Sequence, residues 1–237
     1  MATAMPAAGI RARSATEVSL SPNCGPRRGG VLPSLIVLHY TAMSSFEAAR
    51  ERLCDPAAEV SAHYLISERG EVLALVPEEL RAWHAGAGSW GGAEDVNSRS
   101  IGIELANRGA EPFAAAQMAA LERLLPEIMA RWAIRPEGII GHSDMAPGRK
   151  SDPGPRFDWR RLALAGLSVW PEAGETVGDF ETSARAYGYP EVAPDLLLTA
   201  FRLRFRPWAR GPLDAADAAL AADLARRFPV DGARGAA

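Results

Sequence analysis

Residues 35–42 read LIVLHYTA, and residues 139–155 read IIGHSDMAPGRKSDPGP. In both, a short aliphatic run ends on a histidine, His39 in the first and His142 in the second. Runs of ~4–8 such residues bounded by turn-formers mark buried strands, here Leu35–Leu38 and Gly138–Gly141. Working outward, His63–Ile66, Val72–Val76 and Ser100–Leu105 read as further strands. Helical patterns lie between them. Ser44 or Ser45 can cap a helix reaching about Leu53, with Glu47 placed for a capping box if Ser44 is the cap. After Pro112, the residues Met118, Leu121, Leu125, Ile128 and Trp132 recur at helical steps and form one apolar face. Pro126 interrupts that pattern, and an interior proline costs ~3 kcal/mol or kinks the helix; the kink is expected near Glu122. The alternation of strands and helices predicts an α/β fold with a mixed central sheet flanked by helices.

The ends of the chain read differently. Residues 1–30 read as an extended N-terminal arm, exposed through Pro22, Asn23, Gly25, Pro26, Arg27, Arg28, Gly29 and Gly30, ahead of a main domain over 31–170. Residues 171–178 read as a linker. Beyond it only helices are expected: Phe180–Tyr187 ended by Gly188, then Asp195–Phe205 with Leu198, Phe201 and Phe205 on one side. A third is capped by Asp214 or Asp217, with Ala216, Ala219, Leu220 and Leu224 as its inner stripe. These make a small three-helix domain over 179–230, too small to be stable without docking on a larger partner. The tail, 231–237, is expected to fray.

Composition narrows the function. The chain has 237 residues, 48% hydrophobic and 23% charged, a balance that excludes disorder and a coiled coil. A net charge of −3 provides no basic field for nucleic acid or an anionic membrane. No apolar run approaches the ~18 residues of a membrane span. Arg11 and Arg13 follow the mildly apolar start rather than precede it, the reverse of an export signal, so the expected location is cytoplasmic. Cys24 and Cys54 are too few for a disulfide framework or a Cys-based zinc site and are expected to be thiols. Among 26 basic residues, Lys150 is the single lysine.

His39 and His142 stand where strands leave the core, the places where a rigid scaffold presents functional groups. Asp152 follows His142 by ten residues, inside a Pro/Gly-rich loop. Two imidazoles and a carboxylate make a three-ligand zinc set with a fourth position left for water. Spacing alone leaves a second reading open, two strand-end histidines with hydrogen-bonded rings.

Five words, in order, carry a family resemblance: VLHYTA at 37–42, VSAHYLIS at 60–67, AWHAG at 82–86, NSRSIGIEL at 97–105 and GHSDMAPGRKSDPGP at 141–155. They resemble the zinc-dependent N-acetylmuramoyl-L-alanine amidases of the amidase-2 family, whose fold is shared with peptidoglycan-recognition proteins. The resemblance implies that His39, His142 and Asp152 hold one zinc ion. It implies that Glu104 is the catalytic glutamate and that Lys150 steadies the transition state. The implied substrate is peptidoglycan or a muropeptide, cut between the lactyl group of N-acetylmuramic acid and L-alanine. Without the resemblance, Glu104 would read first as a strand-end glutamate paired with an arginine. His84 and Asn97 are expected to meet substrate, Trp83 and Trp90 either to stack on sugar or to anchor their loop, and His63 to be structural. The C-terminal helices resemble the small peptidoglycan-binding domain appended to several amidases. Two other functions compete: a non-catalytic peptidoglycan-recognition module, and a zinc peptidase of related fold.

Overall fold

In chain order the elements are β1 Cys24–Pro26, β2 Leu35–Tyr40, α1 Phe46–Cys54, β3 Tyr64–Ile66, β4 Val72–Ala74, β5 Leu80–Ala82, α2 Val96–Arg99, β6 Ser100–Leu105 and α3 Ala115–Trp132. There follow β7 Ile139–Gly141, α4 His142–Met145, α5 Trp159–Leu164, α6 Phe180–Tyr187, α7 Pro194–Phe205 and α8 Ala215–Arg227. They come from a computed structural model that describes residues 20–172, 174 and 178–230.

Five strands form the central sheet in the order β4-β3-β6-β2-β7. β3, β6, β2 and β7 run parallel, and β4 pairs antiparallel with β3. The mixed sheet is therefore as expected, and Ser100–Leu105 forms the expected strand, alternating polar and apolar residues. That alternation also assigns the two faces, because successive strand residues point to opposite sides. Ile36, Leu38, Ile101, Ile103 and Leu105 turn to one side and pack with Met118, Leu121, Leu125 and Ile128 of α3. Leu35, Val37 and Ile140 turn to the other. The α3 helix runs uninterrupted through Pro126. The kink expected near Glu122 does not interrupt the helix, and Pro126 lies on its exposed side, so the buried face stays intact.

Two boundaries of the sequence reading change. The arm is exposed over only part of the described residues. Its β1 strand pairs antiparallel with β5, and Ser21 and Asn23 are buried. Asn23 Nδ2 donates to the carbonyls of Asp55 and Val60, both at 2.8 Å, contacts no local pattern could announce. Residues 1–19 and 231–237 lie outside the described residues, as do four positions of the expected linker. Near the other end, the helices read as a small domain of their own share one core with the sheet. Phe180, Tyr187, Leu197, Phe201, Phe205 and Leu224 pack in the same cluster as Leu35, Val37, Ile140 and Met145. The inner stripe of α8 is also rephased: Ala219 and Leu224 are buried, but Ala216 is exposed. Asp217 takes the inner position because it completes the capping box with Asp214 and binds Arg202 and Arg206.

A buried ion pair joins the helices to the sheet. Asp144 Oδ2 accepts from Arg204 Nη1 at 2.7 Å and from the Gly141 N–H at 2.8 Å, and Asp144 Oδ1 accepts from the Tyr189 hydroxyl at 2.6 Å. Arg204 Nη2 donates to the Ile139 carbonyl, and its guanidinium lies 4.1 Å over the Trp159 ring. No helix among the described residues is long and apolar enough to cross a membrane, and neither cysteine is in a disulfide.

Each large buried side chain of α6–α8 contributes ~1.5–3 kcal/mol, against a whole-domain stability of ~5–15 kcal/mol. Deleting residues 178–237 should therefore leave an aggregated or unfolded chain, checked by circular dichroism and solubility. A soluble, cooperatively melting truncation would overturn the shared core. A second expectation concerns Glu78. Burial opposes its charge, but hydrogen bonds from Arg131, Tyr64 and Trp132 outweigh burial and lower its pKa from 4.5 to about 2. That difference corresponds to on the order of 3 kcal/mol. The contribution is complete above pH ~4.5 and is lost as the pH falls through ~2. Thermal melts should show the wild type losing more stability over that window than Glu78→Gln.

Candidate active site

Register places the first pair of groups. β2 and β6 are parallel with His39 opposite Glu104, so both side chains emerge from one face of the sheet. β7 ends at Gly141, and His142 opens α4 immediately after it. The 146–155 loop then returns, and the Asp152 carbonyl accepts the Ser143 N–H at 2.9 Å. Three atoms consequently converge. His39 Nδ1 is 2.9 Å from His142 Nδ1 and 2.8 Å from Asp152 Oδ2, and His142 Nδ1 is 3.0 Å from the same oxygen.

The opposite ring nitrogens show what this convergence is for. His142 Nε2 lies 2.8 Å from the Ala85 carbonyl, which can only accept, so Nε2 carries the proton and Nδ1 is a lone pair. The Ser100 hydroxyl donates to the Val96 carbonyl, so its oxygen accepts from His84 Nε2 at 3.2 Å. His84 Nδ1 is then the acceptor for His39 Nε2 at 3.0 Å. His39 therefore also presents a lone pair. Burial, and after it the neighbouring His142, push its pKa down to about 4, so the ring is neutral near pH 7. Two lone pairs and a carboxylate oxygen within 3.0 Å of one another repel unless a cation sits among them. The set can hold a metal ion.

Glu104 and Lys150 line the same cavity of about 410 Å³ as the three donors. Glu104 Oε2 is buried without a hydrogen-bond partner. Burial first, and the Asp152 charge second, push its pKa up to about 8, with Lys150 pulling the other way. A carboxylate so placed accepts a proton readily. No arginine pairs with it. The ammonium of Lys150 is exposed on the cavity wall.

Two sequence expectations change here. Asn97 was read as a substrate contact, but it is buried and absent from the cavity wall. Its Oδ1 accepts the backbone N–H groups of His84 and Ala85 at 3.0 and 2.8 Å. His84 does line the cavity, yet both its ring nitrogens are committed inside the protein. Trp90 is an anchor, packed edge-on against Tyr187 and Tyr189, whereas Trp83 reaches the cavity. His63 is structural as expected, accepting the Gly102 N–H at 2.9 Å and donating to the Leu80 carbonyl at 3.1 Å. Sequence reasoning missed Tyr40, Arg52, Arg149 and Ser151 on the cavity wall. Adjacency to His39, Lys150 and Asp152 was the available signal for three of them. Arg149 is also structural, donating to the carbonyls of Ala85 and Ala87.

Residues 29–155 match the Amidase_2 family, described as N-acetylmuramoyl-L-alanine amidase. The chain belongs to this family. The matched span contains His39, Glu104, His142, Lys150 and Asp152. Among curated relatives of this amidase is the N-acetylmuramoyl-L-alanine amidase AmiD of Escherichia coli K12, 37% identical over 83% of this chain and 84% of that protein. The 1,6-anhydro-N-acetylmuramyl-L-alanine amidase AmpD of Salmonella typhimurium LT2 is 36% identical over 64% of this chain and 91% of AmpD. The solved complex of E. coli AmiD with anhydro-N-acetylmuramic acid-L-Ala-D-gamma-Glu-L-Lys superposes with a TM-score of 0.75 at 36% identity, covering 86% of this chain and 93% of that one. AmpDh3 of Pseudomonas aeruginosa with an anhydromuramic pentapeptide gives 0.75 at 31% identity over 95% of the amidase chain and all of that one. Coverage this broad takes in the C-terminal helices, which belong to the common architecture.

One glycine in the amidase sheet has a steric task. A Cβ on Gly102 would lie 2.4 Å from His84 Cγ. Gly102→Ala should displace the His84 ring, costing ~1–3 kcal/mol and weakening metal retention. Melting temperature and metal content per chain measure both effects.

Proposed function

We propose that this amidase is zinc-dependent and hydrolyses the amide between the lactyl group of N-acetylmuramic acid and L-alanine in anhydromuropeptides. The observation that carries the reading is the convergence of His39 Nδ1, His142 Nδ1 and Asp152 Oδ2 within 3.0 Å, in one cavity with a partnerless Glu104 oxygen. Support for the substrate class comes from AmiD and AmpDh3, whose solved complexes contain anhydromuramyl peptides.

Two imidazole nitrogens and one carboxylate oxygen suit zinc. Zinc held there supplies a Lewis acid that makes water reactive near neutral pH. Glu104 takes the proton of the attacking water at its carboxylate and delivers it to the departing amine of L-alanine. Burial favours the protonated form of Glu104 between those events. Lys150 offers its ammonium to the carbonyl oxygen as negative charge develops there. Arg149, by holding the carbonyls of Ala85 and Ala87, keeps the cavity wall closed behind His142. Wall binding by the C-terminal segment falls to its outer surface, where Trp208, in the turn after α7, is 67% exposed.

The test measures zinc per chain and release of L-alanyl peptide from anhydromuropeptide and from intact sacculi, offered side by side. Glu104→Gln should retain zinc and lose turnover ~10²–10⁴-fold. Lys150→Ala should lose ~10²–10³-fold with little change in substrate affinity. A zinc-free wild type would overturn the metal assignment. Undiminished turnover in Glu104→Gln would overturn the base, and cleavage of ordinary peptides alone would make the enzyme a peptidase.

A further inference from the structure

The loop that passes through His84 and Ala85 reaches both candidate ligand histidines. It does so through the ring nitrogen that does not face Asp152. His84 Nδ1 lies 3.0 Å from His39 Nε2, and the Ala85 carbonyl lies 2.8 Å from His142 Nε2. Consecutive residues thus provide an acceptor for each ring. One amide oxygen, Asn97 Oδ1, holds the N–H of both. Behind His84 the chain of hydrogen bonds continues through the Ser100 hydroxyl to the Val96 carbonyl. Because each route ends on a carbonyl, which cannot donate, the proton order along it has a single direction.

We propose that His84 and Asn97 are positioning residues, which hold His39 and His142 as Nε2–H tautomers and so aim both Nδ1 lone pairs at the ion. The inference rests on the zinc reading above. His39 has no carbonyl or carboxylate against Nε2; without the His84 acceptor its ring is free to move the proton to Nδ1, which removes it as a ligand. Outer hydrogen bonds of this kind fix ring orientation and tautomer in metal sites generally, and their loss costs ~10–100-fold in metal affinity. Both outer acceptors here are uncharged. An ion held by a single carboxylate then keeps net positive charge, which preserves its pull on water and carbonyl oxygen. Both ring nitrogens of His84 are engaged within the protein, and the ring lies close against Gly102.

The deciding measurement is the zinc dissociation constant of the full chain, by chelator competition, together with the melting temperature of each metal-free variant. His84→Ala should weaken zinc ~10–100-fold with the metal-free protein still folded. His84→Gln, whose side-chain oxygen can accept from His39, should recover part of that loss. Asn97→Ala should weaken zinc, and Asn97→Asp, whose carboxylate accepts the same two N–H groups, should restore it. Should His84→Ala fail to fold, Ser100→Ala tests the same point. It removes the hydroxyl that orders the His84 ring and should also weaken zinc. In ¹⁵N-histidine spectra of the zinc-loaded wild type, both ligand rings should be protonated at Nε2. Nδ1 protonation of either ring would overturn the proposal, as would unchanged zinc affinity in a folded His84→Ala or Ser100→Ala. Absence of tight zinc in the wild type would instead fail the metal reading itself.

Discussion

Two imidazole nitrogens and a carboxylate oxygen are held within hydrogen-bond distance of one another, and with each ring's proton on Nε2 all three are acceptors that repel. Such a cluster scatters unless the scaffold around it is stiffer than the repulsion is strong. Most of the architecture can be understood as that stiffness. His39 extends from a strand paired on both sides, by β6 and β7. His142 is the first residue after the edge strand β7, and Asp152 is tied back by its own carbonyl to Ser143. Parallel strands buried on both faces move little, and groups at their ends inherit that rigidity.

The two sheet faces divide the labour. One is mainly aliphatic and packs on α3, which contributes burial. The other begins apolar, with Leu35 and Val37, and turns polar at His39 and Glu104. Its apolar part has to be covered, and α6–α8 cover it. The Asp144–Arg204 pair stands at that seam. Both charges are almost fully inaccessible, a costly arrangement that hydrogen-bond partners must offset. Gly141, Tyr189, Ile139 and Ser168 are the partners present, while Arg204 Nε is left unpaired.

Much of this was legible in the residues, for physical reasons. SIGIEL alternates strictly, and its strand begins and ends where the alternation does. Phe180–Tyr187 has a capping aspartate at one end and Gly188 at the other, so its limits were local properties. The donor set was legible because histidines at strand ends are few and the family words surround them. What escaped depended on distant chain. Residues 20–30 of the arm are held because Asn23 and Arg27 find carbonyls far along the sequence. His84, in a Gly-rich loop, and Asn97, just ahead of the Glu104 strand, looked like ligand-facing polar residues. Only the fold reveals that Asn97 supports the loop and that His84 supports His39. The α8 stripe was misphased because a carboxylate, Asp217, takes an inner place that hydrophobic periodicity assigns to alanine.

The reach of Arg204 into the β7–α4 junction has a consequence for how the protein is made. A ribosome delivers His39, Glu104, His142 and Asp152 well before it delivers residue 204. Until then Asp144 is a carboxylate at the edge of a half-covered sheet, two positions from His142, with its strongest partner still missing. The chemistry of the centre resides in the first two thirds of the chain, but its final setting waits on a later segment. Any stretch that stops short of α7 therefore lacks the cation that pairs with Asp144 at the β7–α4 junction.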